Sequence, residues 1–299
     1  MGRSNHLRYV LITPARNEEA YLEKTAQSVI SQTTLPLKWM IISDGSTDRT
    51  DAIAKDYAAR YPWIEYQRRP EHAHRNFAAK AECFMDGYQK VRSLEFDIIG
   101  NLDADLSFEP DYVEYLLDQF RESPDLGVAG TPFLEESVHY NYRFTNIKHV
   151  SGACQLFKRD CFDAIGGYVP IARGGIDWIA VTMARMKGWK TRTFTDKIII
   201  HHRKMGTGKG TPMGAAWRMG QQDYFLGNHP LWEFSRLFYQ MRFKPYILNG
   251  LILYVGYLSA ALGSRKRTAP DELVNFVRRE QMERLLTKIH VKKSGAGGG

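Results

Sequence analysis

The feature that most constrains the fold is a regular alternation of short apolar runs with longer helical patterns, from Tyr9 to about Gly130. The apolar runs are residues 9–13, 39–43, 64–67 and 96–102. The helical patterns lie between them, at about residues 20–32, 47–61 and 76–91. Strands that are apolar on both faces and separated by helices are typical of a mainly parallel sheet covered on both sides. The sequence therefore predicts an α/β fold.

The second half of the chain is less regular. A strand-like run at 153–157, a helical pattern at 177–187 and a strand-like run at 197–201 come first. Glycine is dense from Met205 to Met219, which predicts a flexible loop at 205–220. A helical region at 221–292 follows, and we expect the glycine-rich end, 293–299, to be a disordered tail.

Composition gives limited information about the cellular compartment and the binding partners. The three cysteines, Cys83, Cys154 and Cys161, have no metal-ligand spacing and lie in apolar segments, so we expect buried free thiols. Free thiols fit a reducing cytosol, and no signal peptide is expected at the N-terminus. The net charge of +8 suits phosphates, nucleic acid or an anionic membrane, and does not choose among them.

A parallel sheet binds ligands at the carboxyl ends of its strands, so the residues just after each run are the candidates for chemistry. Asp103 and Asp105 follow the run 96–102, and carboxylates with this spacing can both reach one divalent cation. Hard oxygen ligands select Mg²⁺ or Mn²⁺. An isolated Asp-x-Asp also fits a surface turn, but its place after a buried strand favours the metal site.

Two other strand ends carry polar side chains. Asp44 follows the run 39–43 and can accept hydrogen bonds from a base or ribose. Arg16 and Glu18 follow the first run, where Arg16 can face a phosphate and Glu18 a sugar hydroxyl. For the Asp44 segment the alternative is a plain strand–turn–helix connection with an N-cap, and both interpretations can hold together. For Glu18 the alternative is that acidic residues favour the first turn of a helix.

Four segments in order give the chain a resemblance to a known family. They are LITPARNE at 11–18, SVISQT at 28–33, DGSTD at 44–48 and DAD at 103–105. Together they resemble the family 2 inverting glycosyltransferases, which have the GT-A fold and use nucleotide-diphospho-sugar donors. The match covers roughly the first two-thirds of the chain.

The resemblance implies roles for several residues. Pro14, Asn17 and Glu18 match the first nucleotide-binding segment, and Asp44 matches the aspartate that contacts the base. The family's metal-binding pair corresponds to Asp103 and Asp105. The residues that fall in its diphosphate-binding segment are Arg75, Asn76 and Lys80, although the glycine usual in that segment is missing here.

Inversion in one displacement needs a carboxylate that deprotonates the acceptor hydroxyl. The family places an acidic pair before a helix that ends in glycine and an aromatic residue. Here Asp177 precedes such a helix, which Gly188 and Trp189 close, so Asp177 resembles the catalytic base. Ile176 stands where the family usually has glutamate, and a simple N-cap role for Asp177 is the alternative.

The segment after the run 197–201 adds basic side chains. One histidine of His201 and His202 can complete the metal's ligands, and strand alternation turns only one of them toward the site; we expect His201. Arg203 and Lys204 can neutralise a diphosphate. The glycines that follow suggest a loop that closes over the donor.

The segment 245–264 contains no Asp, Glu, Lys or Arg, and basic residues flank it on both sides. Its length is close to the minimum for a spanning helix, about 20 residues. Glycines and polar residues interrupt it, so three structures stay open: a helix lying in the membrane plane, a buried core helix and a true span. The basic flanks explain part of the net charge without nucleic acid.

The sequence thus predicts a GT-A catalytic domain at 1–204, binding the nucleotide sugar at about 8–130 and the acceptor at about 131–204. We expect a metal-dependent glycosyltransferase that uses Mn²⁺ or Mg²⁺ and acts on a lipid-linked or envelope glycan. We expect it in the cytoplasm, peripherally associated with the inner face of the cell membrane through 221–292. A membrane-attached sugar-binding scaffold and a nucleotidyltransferase are the alternatives, although 14–19 lacks the glycine-rich loop of the latter.

Overall fold

The computed structural model describes residues 6–71, 77–135, 146–171, 174–203, 211–263 and 266–295. The chain divides into two compact units, Met1–Lys204 and Met205–Gly299. The strands of the first unit are β1 (Tyr9–Ala15), β2 (Lys38–Ser43), β3 (Ile64–Arg68), β4 (Ile98–Leu102), β5 (Leu106–Ser107), β6 (Leu126–Gly130), β7 (Phe133–Leu134), β8 (Cys154–Lys158), β9 (Lys190–Thr193) and β10 (Ile199–His201). Its helices are α1 (Leu22–Ile30), α2 (Thr50–Arg60), α3 (Phe77–Val91), α4 (Tyr112–Glu122), α5 (Arg159–Ala164) and α6 (Ile176–Met186).

Seven strands form one sheet in the order β3-β2-β1-β4-β8-β6-β9. Strands β1, β2, β3 and β4 pair in parallel, as do β6 and β9, whereas β8 runs antiparallel to both of its neighbours. The carboxyl ends of β1, β2 and β4 therefore lie at one edge of the sheet, and the start of β8 lies at the same edge. The mainly parallel sheet predicted from the apolar runs is confirmed.

Helices cover both faces of this sheet. Successive side chains of a strand point to opposite faces, so each face is buried under its own set of helices. Leu11, Trp39 and Ile41 belong to a core shared with α1, α2 and α4. Ile12 and Ile42 are buried on the opposite face, under α3. The indole of Trp39 donates a hydrogen bond to the Thr13 hydroxyl at 2.9 Å, which satisfies a polar group inside the core.

A second, three-stranded sheet has the order β5-β10-β7. Strand β10 pairs antiparallel with β5, and His201 lies opposite Leu106 in that register. Because β5 begins just after Asp105, this pairing carries His201 to the carboxyl edge of the large sheet. All three cysteines are buried and free, as predicted.

The second unit is helical, with α7 (Pro212–Phe225), α8 (Pro230–Gln240), α9 (Leu248–Leu262) and α10 (Asp271–Gly295). The predicted flexible loop at 205–220 is wrong from Pro212 onward, and 205–210 lie outside the described residues. Thr211 caps α7 by accepting a hydrogen bond from the Gly214 amide, and Pro212 starts the helix. Gly220 lets α9 approach, since a Cβ there would lie 1.9 Å from the Leu253 carbonyl oxygen.

The ends of α9 and α10 bear on two further predictions. Helix α10 continues to Gly295, so the predicted tail at 293–299 is wrong for its first three residues, and 296–299 lie outside the described part. The uncharged segment 245–264 contains α9, a single helix. Within the described ranges, no helix has both the length and the apolar character needed to cross a bilayer.

Candidate active site

The candidate active site lies at the carboxyl edge of the large sheet. Asp103 and Asp105 follow β4 there, and the Asp103 amide donates to the Ala153 carbonyl at 2.9 Å just before β8 begins. Asp44 follows β2, and its amide donates to the Ala15 carbonyl at the end of β1 at 2.8 Å. Parallel pairing thus gathers three predicted segments that are far apart in the sequence.

Asp103, Asp105 and His201 form a compact group of possible metal ligands. One ligand atom from each lies within 4.8 Å of the others. The His201 Nε2 is 3.5 Å from Asp105 Oδ1, and both side chains are almost fully buried. Two carboxylates and an imidazole suit a divalent transition metal such as Mn²⁺ better than Mg²⁺, which prefers oxygen alone.

The two adjacent histidines have different surroundings. His201 Nδ1 lies 3.3 Å from Glu135 Oε1, within ion-pair distance but without a hydrogen bond, and its Nε2 lies on the side of Asp105. His202 turns away: its Nε2 lies 2.9 Å from Ser107 Oγ, and its ring stacks on Tyr21. Of the two histidines, His201 is therefore the one placed with Asp103 and Asp105.

Lys80, on α3, makes a close ion pair with Asp103. Its ammonium lies 2.5 Å from Asp103 Oδ1. Burial would lower the pKa of Lys80, but the negative charges of Asp103, Asp177 and Asp105 raise it above its usual value. Burial raises the pKa of Asp103, with Asp105 adding to the rise and Lys80 opposing it. A divalent cation in this group would offset the crowding of negative charge.

Asp177 lies in the first turn of α6 and is tied to the same edge of the sheet through Gly152. The Gly152 amide donates to Asp177 Oδ2 at 3.2 Å. The carbonyl of Gly152 accepts from Asn101 at 2.7 Å and from Lys80 at 3.4 Å. The N-cap of α6 is Gly175, so Asp177 is not the helix cap. The backbone of one residue, Gly152, therefore connects Asp177 to the lysine that pairs with Asp103.

Asp44 is buried and held by two guanidinium groups. Arg16 Nη1 lies 3.6 Å from its Oδ2, and Arg69 Nη1 lies 3.2 Å from its Oδ1. Arg69 also pairs with Glu82 and Asp86 on α3. Arg16 thus contacts Asp44, and these pairs hold the carboxylate of Asp44 in a defined position at the end of β2.

The loops after β1 and β2 are joined by reciprocal hydrogen bonds. Asn17 has a left-handed backbone, with φ 55°, and its side-chain oxygen accepts from the Thr47 amide at 2.9 Å. The Glu18 amide donates to the Thr50 hydroxyl at 2.7 Å. Asn17 therefore stabilises the joint between the loops, and Pro14 lies within β1, opposite Ile42.

Arg203 connects the first loop to the acidic group. Its Nη2 lies 2.5 Å from Glu18 Oε2 and donates to the Asn17 carbonyl at 2.9 Å. Its Nε lies 3.8 Å from Asp105 Oδ2. The guanidinium of Arg203 thus lies beside the carboxylates of Glu18 and Asp105. The predicted residues Arg75, Asn76 and Lys204 lie outside the described residues.

The sequence did not predict three residues that contact the candidate site: Glu135, Arg69 and Gly152. Glu135 follows the two-residue strand β7, where no periodic pattern marks a strand end. Arg69 does follow β3, so the strand-end rule that found Asp44 would have found it. Gly152 acts through its backbone, which leaves no chemical signature in the sequence.

Comparisons with known proteins identify the family. The sequence profile of Glycosyl transferase family 2 matches residues 10–166, just over half of the chain. Glucosyl-dolichyl phosphate glucuronosyltransferase of Haloferax volcanii is 24% identical over 182 residues, which are 53% of this chain and 54% of that protein. The match thus spans about half the length of this curated relative.

Two solved structures have the same fold. The mannosyltransferase PcManGT of Pyrobaculum calidifontis, solved with GDP-Man and Mn²⁺, has a TM-score of 0.57 at 17% identity, over 95% of this chain and 80% of that one. Residues 1–349 of S. aureus TarS, solved with UDP-GlcNAc, have a TM-score of 0.56 at 11% identity, over 86% of this chain and 73% of that one. With the family profile and this fold together, the chain belongs to glycosyl transferase family 2 and has a GT-A-like architecture.

Proposed function

We propose that the protein transfers a sugar, with inversion, from a nucleotide-diphospho-sugar to an acceptor hydroxyl, and that Asp177 is the general base. The observation that carries this proposal is the link through Gly152, which places Asp177 at the same edge of the sheet as Asp103 and Lys80. An acceptor base and a donor-binding group must lie on two sides of one sugar, and we assign these roles to Asp177 and to the group of Asp103 and Lys80.

The reaction is a single displacement. The acceptor oxygen forms a bond to the anomeric carbon while the bond from that carbon to the diphosphate oxygen breaks, and the hydroxyl proton passes to the Asp177 carboxylate. The Gly152 amide holds one oxygen of that carboxylate, so the group keeps one orientation toward the acceptor. Lys80 and Arg203 place positive charge near the leaving diphosphate.

Asp103, Asp105 and His201 would hold a divalent cation, and we propose Mn²⁺ because the set mixes carboxylate with imidazole. Bound there, the ion would stabilise negative charge on the diphosphate leaving group. Mn²⁺ is also the ion present in the PcManGT structure. Asp44, Arg16 and Glu18 lie where the nucleotide end of the donor is expected from the resemblance.

We propose a lipid-linked or envelope glycan as the acceptor. The relative from Haloferax volcanii is named for a glucosyl-dolichyl phosphate, and the second unit carries a long uncharged helix. We further propose that the reaction occurs at the inner face of the cell membrane, where a donor made in the cytoplasm can meet such an acceptor.

The test is a binding and turnover screen with UDP-, GDP- and dTDP-sugars, with and without Mn²⁺. We expect Mn²⁺-dependent binding of one nucleotide class. Asp103→Ala should abolish the metal dependence, while Asp125→Ala, which removes an exposed carboxylate paired with Lys190, should not. Absence of binding to every donor by folded protein would refute the proposal.

Asp177→Asn separates a transferase from a sugar-binding scaffold. The variant should bind the donor with native affinity and lose donor hydrolysis and transfer, since the carboxamide cannot accept the proton. If the folded native protein binds the donor but shows no turnover, and Asp177→Asn behaves in the same way, the protein is a scaffold instead.

A further inference from the structure

Helix α9 carries no charged residue on any side, but only one side of it is packed within the second unit. The buried residues on the packed side are Gly250, Leu253, Gly256, Tyr257 and Ala260. A Cβ at Gly256 would lie 2.4 Å from the Trp217 carbonyl oxygen of α7, so the two helices meet at backbone distance. This side of α9 has its partner.

The opposite side of α9 is exposed and also apolar. Its residues follow the spacing i, i+3, i+7, i+10 and i+14, which is one helix face: Leu248, Leu251, Val255, Leu258 and Leu262. Their exposed fractions run from 37% for Leu258 to 83% for Leu262. A helix surrounded by water carries charged or polar residues on such a face, and this one carries none.

Helix α8 extends the same surface. Leu231, Phe234 and Phe238 lie on one face of α8 and are exposed, while Leu237 on the other face is buried. The ring of Phe234 packs against that of Tyr254 on α9, with centroids 6.0 Å apart, which joins the exposed faces of the two helices. We call this apolar surface of α8 and α9 the outer face.

The sequence around the outer face is basic. No Asp or Glu occurs from Phe234 to Pro270, whereas the same stretch contains six Lys and Arg residues, one of which, Arg236, is paired with Asp223 and Glu233. Arg242 and Lys244, between α8 and α9, are exposed, and so is Lys266 beyond α9. Exposed Phe243 and Tyr246 lie next to these cations, an arrangement suited to the boundary between lipid headgroups and acyl chains.

We propose that the outer face docks the protein onto a bilayer containing anionic phospholipid, with α8 and α9 in the plane of the surface. The apolar side chains would enter the acyl boundary, and Arg242, Lys244 and Lys266 would contact lipid phosphates. A second copy of the chain fits less well, because a two-fold interface joins the patch to itself and brings these cations together without acidic partners.

The proposal is tested by flotation of the full-length chain with vesicles of phosphatidylcholine alone or with about 30% phosphatidylglycerol, at low and high salt. We expect the native protein to float with the anionic vesicles. Leu251→Gln/Val255→Gln/Leu258→Gln should weaken this partitioning more than about tenfold, because it removes apolar area from the interface. Leu286→Gln on α10 is the matched control, since Leu286 is 51% exposed, as is Val255.

A charge variant separates the two contributions. Arg242→Gln/Lys244→Gln should weaken binding to anionic vesicles by about fivefold per residue and reduce its dependence on salt. Lys187→Gln/Arg279→Gln changes the net charge equally at exposed sites elsewhere and should have little effect. Circular dichroism and thermal unfolding check that every variant is folded, which we expect because all substituted residues are exposed.

The outcomes decide the proposal independently of sugar transfer, since Asp177→Asn should float as the native protein does. Absence of flotation by the native protein, or flotation unaffected by the triple variant, would overturn the proposal. Light scattering after size-exclusion chromatography measures the oligomeric state and so tests the alternative, self-association. A native dimer that does not float, and that the triple variant converts to a monomer, would assign the outer face to self-association instead.

Discussion

Gly152→Ala should displace the proposed general base, Asp177, while leaving its carboxylate chemically unchanged. A Cβ on Gly152 would lie 2.8 Å from the Cβ of Asp177 and 2.9 Å from its Oδ2. Gly152 has no left-handed φ, so alanine suits the backbone and the effect comes from the added methyl group alone. Carbon atoms prefer separations of about 3.5–4.0 Å, so Asp177 must move by roughly 0.7 Å or more.

A displacement of this size has a large kinetic cost. A misplacement of about 1 Å at a reacting group lowers the rate on the order of 100-fold, which corresponds to about 2.7 kcal/mol in the activation free energy. We therefore expect kcat for transfer to fall about 100-fold, with the donor Kd close to the native value. Steady-state kinetics and donor titration in the presence of Mn²⁺ measure the two quantities.

The control is Gly214→Ala, where the new methyl group would meet only the flexible end of Arg218 at 3.3 Å and the Thr211 hydroxyl at 3.4 Å. A double-mutant cycle gives the sharper test. If Gly152→Ala acts through Asp177, it should cost nothing more in an Asp177→Asn background. An equal loss in both backgrounds, or a parallel loss of donor affinity, would refute the reasoning.

Three other perturbations follow from the described contacts. Glu135→Gln should weaken Mn²⁺ binding about 10- to 100-fold in calorimetric titration, because it removes the negative charge beside the His201 ring; unchanged affinity would contradict that contribution. Gly45→Ala should lower the free energy of unfolding by about 2 kcal/mol or more in urea, since φ is +63° and the Cβ would lie 2.7 Å from the Cα of Glu71. Burial raises the pKa of Asp223 from 3.8 to about 7, with Glu233 adding to the rise and Arg236 opposing it. Since the folded form holds its proton more tightly, this group's stabilisation is complete below pH 3.8 and is lost as pH rises toward 7. Urea unfolding should show a smaller fall in stability over that range for Asp223→Asn than for the native protein, and equal slopes would contradict the assignment.

Local patterns were sufficient for most of the sheet and for part of the site. The apolar runs that became β1, β2 and β4 are buried on both faces, so their composition alone predicts central strands of a parallel sheet. Because parallel strands end at a common edge, the positions of Asp44, Asp103 and Asp105 followed from the order of the elements. The alternation of side chains along a strand predicted that only one of His201 and His202 faces the site.

The glycines of the second unit led to a wrong prediction of a flexible loop, and the reason is physical. The composition of 205–220 predicts a flexible chain, yet α7 begins at Pro212. The sequence cannot show that Gly220 lies against the backbone of α9, where any larger side chain would prevent the two helices from meeting. Glycine in a tight helix contact and glycine in a loop have the same composition, and only the packed neighbour distinguishes them.

The sequence by itself determined the central strands, the helices between them and the strand-end carboxylates, because these depend on periodicity and on interactions between near neighbours. The tertiary structure alone decided what depends on distant contacts. Strand β10 pairs with β5 and brings His201 to Asp105, and Glu135 reaches His201 from a short strand without a local signal. The backbone of Gly152 joins Asp177 to Lys80 through an N–H and a carbonyl, which residues of many types have, so no side chain in the sequence predicts this connection.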